Sequence, residues 1–166
     1  MAELPHKLLR VSEATELLGV ARSQLQNMYP HLHILEMPGG SRRFSGPYIQ
    51  AVNDHIGRSH YRRRVYAAHE FSELAVARQL IEEAEVDLDQ TISAHAIPLH
   101  EDGSETYVSA NDMASILHLG RMSVTDWHKA GAYELRRQDG ITYVAEIALR
   151  DVLQWRQPRF TEPDLS

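Results

Sequence analysis

Apolar residues first fall into helical spacing at Val11, Ala14, Leu17 and Leu18, which predicts a helix from about Ser12 to Leu18 with one inward face. Gly19 ends it, because glycine takes the left-handed conformation needed just past a helix terminus. Val20-Ala21 then leaves room only for a sharp turn before a second short helix from Arg22 to Tyr29. Leu25 and Met28 face inward on this helix and leave Arg22, Ser23, Gln24, Gln26 and Asn27 outside. That outer set both donates and accepts hydrogen bonds, as contacts to base edges and phosphates require. Ile34 to Met37 and Arg42 to Phe44 read as two strands around Pro38-Gly39-Gly40-Ser41, with Ser41, Arg42 and Arg43 at the hairpin tip. Pro47, after Ser45-Gly46, starts a closing helix with an apolar stripe of Ile49, Val52 and Ile56.

From Tyr66 to Val86 the chain carries neither proline nor glycine, which predicts one long helix with Phe71, Leu74, Ala77, Ile81 and Ala84 as its stripe. Arg78 interrupts the heptad seam of Phe71, Leu74, Ile81 and Leu88, so packing on the domains or on another protomer is expected over an extended coiled coil. Residues 89–105 lose the helical period and read as a linker or a pair of short strands.

The first pattern then recurs. With Val124 laid on Leu25, Ile116-Leu117 falls on Leu17-Leu18, Leu119 on Val20, Arg121 on Arg22 and Trp127 on Met28. Ser109 and Asp112 have capping-box spacing, Gly131 ends the second helix, and Asp139-Gly140 is a strong hairpin signal between Leu135–Arg137 and Ile141–Val144. A helix from about Ile147 to Trp155 closes the repeat, and Gln157 to Ser166 reads as a flexible or partner-binding tail. The expected contact residues of this copy are Arg121, Ser123, Thr125, Lys129, Arg136 and Arg137.

The run VSEATELLGVARSQL, followed by a short helix and GGSRRF, resembles the MerR-like and excisionase-like branch of winged helix-turn-helix DNA-binding domains over the first third of the chain. The resemblance implies that the second helix enters the major groove and that the wing lies along the backbone or minor groove. It thereby implies base-reading roles for Arg22 through Asn27 and backbone roles for Arg42 and Arg43. One departure is Ala21, where the family usually carries serine or threonine before its arginine. The 107–155 copy resembles the same fold less closely: His118 stands where the turn glycine is expected, and Asp126 on the outer face repels phosphate.

The distribution of charge matters more than its sum. The net charge is −6, but residues 1–65 carry nine Lys/Arg against five Asp/Glu, residues 66–110 one against ten, and residues 111–166 seven against eight. The positive field of the first part suits phosphate, and Arg58, Arg62, Arg63 and Arg64 supply much of it. The acidic cluster Glu82, Glu83, Glu85, Asp87 and Asp89 reads as a solvated face and not as a metal site, since nothing fixes a coordination geometry. There is no cysteine, and the ten histidines show no zinc spacing, so no metal and no cofactor are expected. Neither a glycine-rich phosphate loop nor a glycine-flanked serine elbow is present, and no enzyme is expected. No apolar run approaches the ~20 residues of a membrane span, and Met1 to Leu9 lacks a signal-peptide core, which predicts a cytoplasmic, nucleoid-associated protein.

The expected fold is mainly α with small β-hairpin wings: tandem winged helix-turn-helix domains at 8–57 and 106–157, joined by a basic segment and long acidic helix at 58–88 and a linker at 89–105, with a tail at 158–166. The expected function is sequence-specific double-stranded DNA binding as a regulator, with a homodimer or other protein partner held through the 66–88 helix or the second domain. The alternatives are an excisionase-like DNA-bending factor, and a phage or plasmid packaging or partition adaptor that uses the winged domains for protein assembly.

Overall fold

The first helices form where the apolar spacing places them. In the computed structural model, which describes residues 7–57, 61–101, 103–120 and 122–160, strand β1 (Leu8–Leu9) leads into helix α1 (Val11–Leu18). The Arg10 N–H donates to Glu13 Oε1 at 2.9 Å, which satisfies one of the open donors at the helix start. Gly19 ends α1 at φ +65°, and the Val20 N–H closes the turn on the Thr15 carbonyl at 3.1 Å. Helix α2 (Arg22–Met28) follows. Strands β2 (Ile34–Glu36) and β3 (Arg42–Ser45) pair antiparallel, Leu35 opposite Arg43 and Glu36 opposite Arg42, and the Met37 N–H closes the hairpin on the Ser41 carbonyl at 2.9 Å. β1 pairs on the other side of β3, Leu9 opposite Phe44. Helix α3 (Gly46–Ile56) starts as its proline predicts, with Ser45 Oγ accepting from the Tyr48 N–H.

The long connecting helix differs from expectation. Helix α4 (Tyr61–Ser72) stops, and helix α5 (Ala75–His95) begins anew. Glu73 and Leu74 N–H groups donate three residues back, to Glu70 and Phe71 carbonyls, and Ser72 Oγ donates to the His69 carbonyl at 2.6 Å, so the last turn tightens and ends. Across the break Phe71 and Ala77 are buried, while Leu74, expected in the same stripe, is left 41% exposed. α5 also runs on through residues 89–95, which the loss of periodicity had suggested as linker.

Among the described residues there are eight α-helices and two small antiparallel sheets, a mixed α/β architecture that is helix-rich as expected and carries more strand than the two hairpin wings. Beyond the hairpins are β1, β5 (Thr106–Ser109) and β8 (Gln154–Arg156), and β4 (Ile97–Pro98) lies in the stretch read as a linker or a pair of short strands. Between β5 and β8 run α6 (Ala110–Ile116), α7 (Ser123–Lys129), β6 (Arg136–Gln138), β7 (Ile141–Ala145) and α8 (Glu146–Val152). The sheets have the orders β1-β3-β2-β8 and β4-β5-β7-β6. The described chain divides into two compact units: the first is drawn from residues up to 36, from 42–85 and from 155 onward, the second from 37–41 and 86–154. Leu25, Met28, Ile34, Phe44, Tyr48 and Ile49 centre the core of the first, all fully buried.

The two units repeat one local plan. The Leu119 N–H donates to the Ala114 carbonyl at 2.8 Å, as Val20 does to Thr15, and His118 adopts φ +55°, as Gly19 adopts +65°. Met113, Leu117, Val124 and Trp127 are buried at the positions of Ala14, Leu18, Leu25 and Met28. Tyr107 pairs with Ala145 and Val108 with Val144, matching Leu8 with Ser45 and Leu9 with Phe44. Ser109 Oγ accepts from the Asp112 N–H at 3.1 Å, and Asp139 and Gly140 both take the positive φ of the expected hairpin turn.

The C-terminal expectations need correction. The last helix ends at Val152, because Leu153 is extended, so Trp155 belongs to β8 instead. Nor are residues 157–160 a free tail. Pro158 is buried, and the Arg159 N–H donates to the Pro30 carbonyl at 2.6 Å within the first unit. Residues 161–166 lie outside the described residues.

Candidate nucleic-acid interface

Helix α2 is fastened by its inner side chains and leaves a polar outer face. Leu25 and Met28 are fully buried, while Arg22, Ser23, Gln26 and Asn27 are exposed, at spacings that put all four on one side of the helix. Gln24 is half-buried and otherwise engaged: its Oε1 accepts from the Ala21 N–H at 3.0 Å. It thus supplies a hydrogen bond at a helix start whose own Ala21 offers no side-chain cap.

The wing arginines separate. Arg43 turns inward, only 9% exposed, and its Nη1 donates to the Arg42 carbonyl at 2.8 Å. Burial lowers its guanidinium pKa from the ordinary value, and neighbouring Arg10 acts in the same direction. Arg43, expected to contact the DNA backbone, instead has its side chain inside the hairpin, because the register that pairs it with Leu35 directs both side chains to the same, buried, face. Arg42 points the other way and stays about a third exposed, its guanidinium 5.0 Å from the centre of the Tyr29 ring. Ser41 is half-buried beside it.

Arg156 is a neighbour that sequence reasoning missed. Its guanidinium lies 5.9 Å from the same Tyr29 ring; Nη2 donates to the Tyr29 carbonyl at 3.3 Å, and Nη1 lies 3.2 Å from Glu36 Oε1. Arg42 Nε approaches the same Glu36 oxygen at 3.9 Å. Burial raises the Tyr29 phenol pKa, while Arg42, Arg22 and Arg156 pull it down, so three cations act on this one ring. A signal for the missed strand was present in Gln154-Trp155-Arg156, a short run stopped by Pro158.

Other expected residues serve the fold. Arg64 Nη1 donates to the Gly19 carbonyl at 3.1 Å, where it satisfies an open acceptor at the end of α1. Arg62 and Arg63 fall in α4, with side chains outside the described residues. In the second unit Arg136 is drawn to His100 Nε2 at 2.8 Å and stands over the Tyr107 ring at 5.4 Å, and among the described residues Arg137 and Lys129 are the exposed cations of the expected set. Ser123 and Thr125 are half-buried, and Thr125 lines a cavity of 180 Å³ with Asn111, Leu119, Val124 and Thr142. Arg121 lies outside the described residues.

The acidic cluster of α5 is dispersed among separate partners. Glu85 accepts from Gln157 at 2.6 Å and meets His33 at 3.1 Å, Glu83 accepts from Gln79, and Asp89 pairs with Arg150. Among the described residues no group of three or more histidines or carboxylates is placed to hold a metal ion, and no helix is long and apolar enough to cross a membrane. Comparison of the chain with family models, with curated proteins and with solved structures yields no match.

Proposed function

We propose that this chain is a sequence-specific double-stranded DNA-binding regulator built from two tandem winged helix-turn-helix domains, with α2 as the main recognition helix. The observation that carries the reading is the outer face of α2, where Arg22, Ser23, Gln26 and Asn27 stand exposed on a helix wedged in place by Leu25 and Met28. An α-helix about 10–12 Å across with its side chains fits a major groove about 12 Å wide, and seven residues give α2 about 10 Å of length. Arg22, Gln26 and Asn27 are suited to guanine and adenine edges, and Arg42 to the flanking backbone. Arg43 is left out of the contact set, since it is buried.

A different observation favours a protein-binding role for the second unit. Ile147, Met122 and Ile141 are 73%, 62% and 45% exposed there, and if they lie in one patch they offer an apolar contact surface. In this second reading the first unit holds DNA and the second holds a protein partner or a second copy.

Selection of bound sites from a random duplex pool by the whole chain, followed by titration of the winner at several salt concentrations, tests the proposal. Enrichment of one site, with affinity falling steeply as salt rises, supports it. A site with two recognisable halves assigns DNA reading to both units, a single half favours the second reading, and no enrichment at any salt overturns the proposal.

A further inference from the structure

We propose that the C-terminal strand completes a binding site for DNA backbone phosphate on the first unit, formed by Arg156 of β8 and Arg42 of β3 around Tyr29. The two guanidiniums flank one aromatic side chain, at 5.0 and 5.9 Å from its ring centre, and share one carboxylate, Glu36. The ion pairs described here set two guanidiniums against one carboxylate, at a surface where both arginines remain exposed, at 36% and 39% of their side-chain area.

Each guanidinium carries five N–H donors in a fixed fork that matches phosphate oxygens. Arg156 commits one nitrogen to the Tyr29 carbonyl and directs another at Glu36, so its position is set while donor capacity remains. Its flanking residues hold the strand. Trp155 stacks on the buried His33 ring at 4.2 Å with an 8° interplanar angle, Gln157 donates to Glu85, and the Arg159 N–H is bonded to Pro30. Arg156 is therefore presented by an anchored segment, which lowers the entropy lost when it grips a ligand.

Glu36 has a consequence of its own. A carboxylate within 3.2 Å of Arg156 competes with phosphate for the same guanidinium, so it weakens binding to nucleic acid at large. The site presupposes that the first unit binds duplex DNA, and its test separates the two ideas.

The experiment uses the whole chain and the duplex it selects, with binding constants measured from low to moderate salt. Arg156→Gln is expected to weaken binding about tenfold and to reduce the slope of log K against log salt by about one unit, and Arg42→Gln to do the same. Glu36→Gln is expected to tighten binding about three- to tenfold, a sign that a purely structural role does not produce. Trp155 emission, read in a Trp127→Phe background, reports whether β8 stays docked. An unchanged slope in Arg156→Gln, with Trp155 emission also unchanged and the parent binding DNA steeply with salt, overturns the site and leaves the DNA reading intact. Where Arg156→Gln shifts the Trp155 emission, Glu36→Gln decides: tighter binding supports the site, and equal or weaker binding overturns it. Absence of salt-dependent binding by the parent overturns both.

Discussion

The two units follow the same backbone plan to different ends. Each runs strand, helix, turn, helix, hairpin, helix, with matched turn hydrogen bonds at Val20 and Leu119 and matched buried positions at Leu25 and Val124. Their surfaces diverge. The first presents Arg22, Ser23, Gln26 and Asn27 from α2, whereas the corresponding helix of the second presents Asp126 and Lys129 and is preceded by the exposed Met122. Even the turns differ in cost, since Gly19 reaches its left-handed φ freely while His118 must hold the same conformation with a side chain attached. A fold can thus be kept by a few inward residues while its outward chemistry changes.

The largest expected effects test whether α2 and α7 are equivalent wedges. Met28→Ala and Trp127→Ala should each cost about 3 kcal/mol or more, because both remove large buried side chains and leave a cavity. Chemical denaturation followed by circular dichroism measures this, and a negligible loss for Trp127→Ala would break the equivalence.

Arg42 and Arg43 set outward against inward chemistry within one hairpin. Arg43→Ala should lower stability by about 1–3 kcal/mol, since it removes a buried donor and leaves its cavity, while the salt slope of DNA binding stays as it was. A reduced slope with stability unchanged would mean that Arg43 turns out to meet phosphate.

A pH titration of stability reports on the first unit. Burial lowers the His33 pKa below its ordinary 6.5, against an opposing pull from Glu85, and His31 is lowered by burial too. The unfolded chain therefore binds more protons just below pH 6.5 than the folded one. Stability is fully present above that pH and falls as the pH drops toward the folded pKa values, by less than about 1.4 kcal/mol per pH unit for each histidine. Urea midpoints between pH 5 and 7.5 check it, and a flat profile would show that these rings are not desolvated in solution.

The smallest effects concern the turns. Gly19→Ala should cost about 1 kcal/mol through backbone strain alone, because a Cβ there meets nothing within 4 Å. His118→Gly should shift stability the other way by less than about 1 kcal/mol. Thermal unfolding of both variants measures the difference, and equal signs would mean that the His118 side chain offsets its strain by its own contacts.

Local signals in the sequence determined much of this protein. Helix spacing, Gly19, the Ser45-Gly46-Pro47 start, the Ser109 cap and the Asp139-Gly140 hairpin each act over a few residues, and the internal repeat follows from their order. The polar face of α2 was legible for the same reason, since burial of Leu25 and Met28 leaves its other residues outside. Tertiary structure alone decided the rest. No proline or glycine marks the break at Glu73-Leu74, and packing decides that Phe71 and Ala77 are buried there while Leu74 is not. The inward turn of Arg43 depends on the hairpin register, and the capture of Arg64 by Gly19 joins residues 45 positions apart. Arg156 reaches Tyr29 from 127 positions away, through a strand whose partner is β2. Such contacts depend on which surfaces meet after the local elements have formed, and no pattern confined to one stretch of chain encodes them.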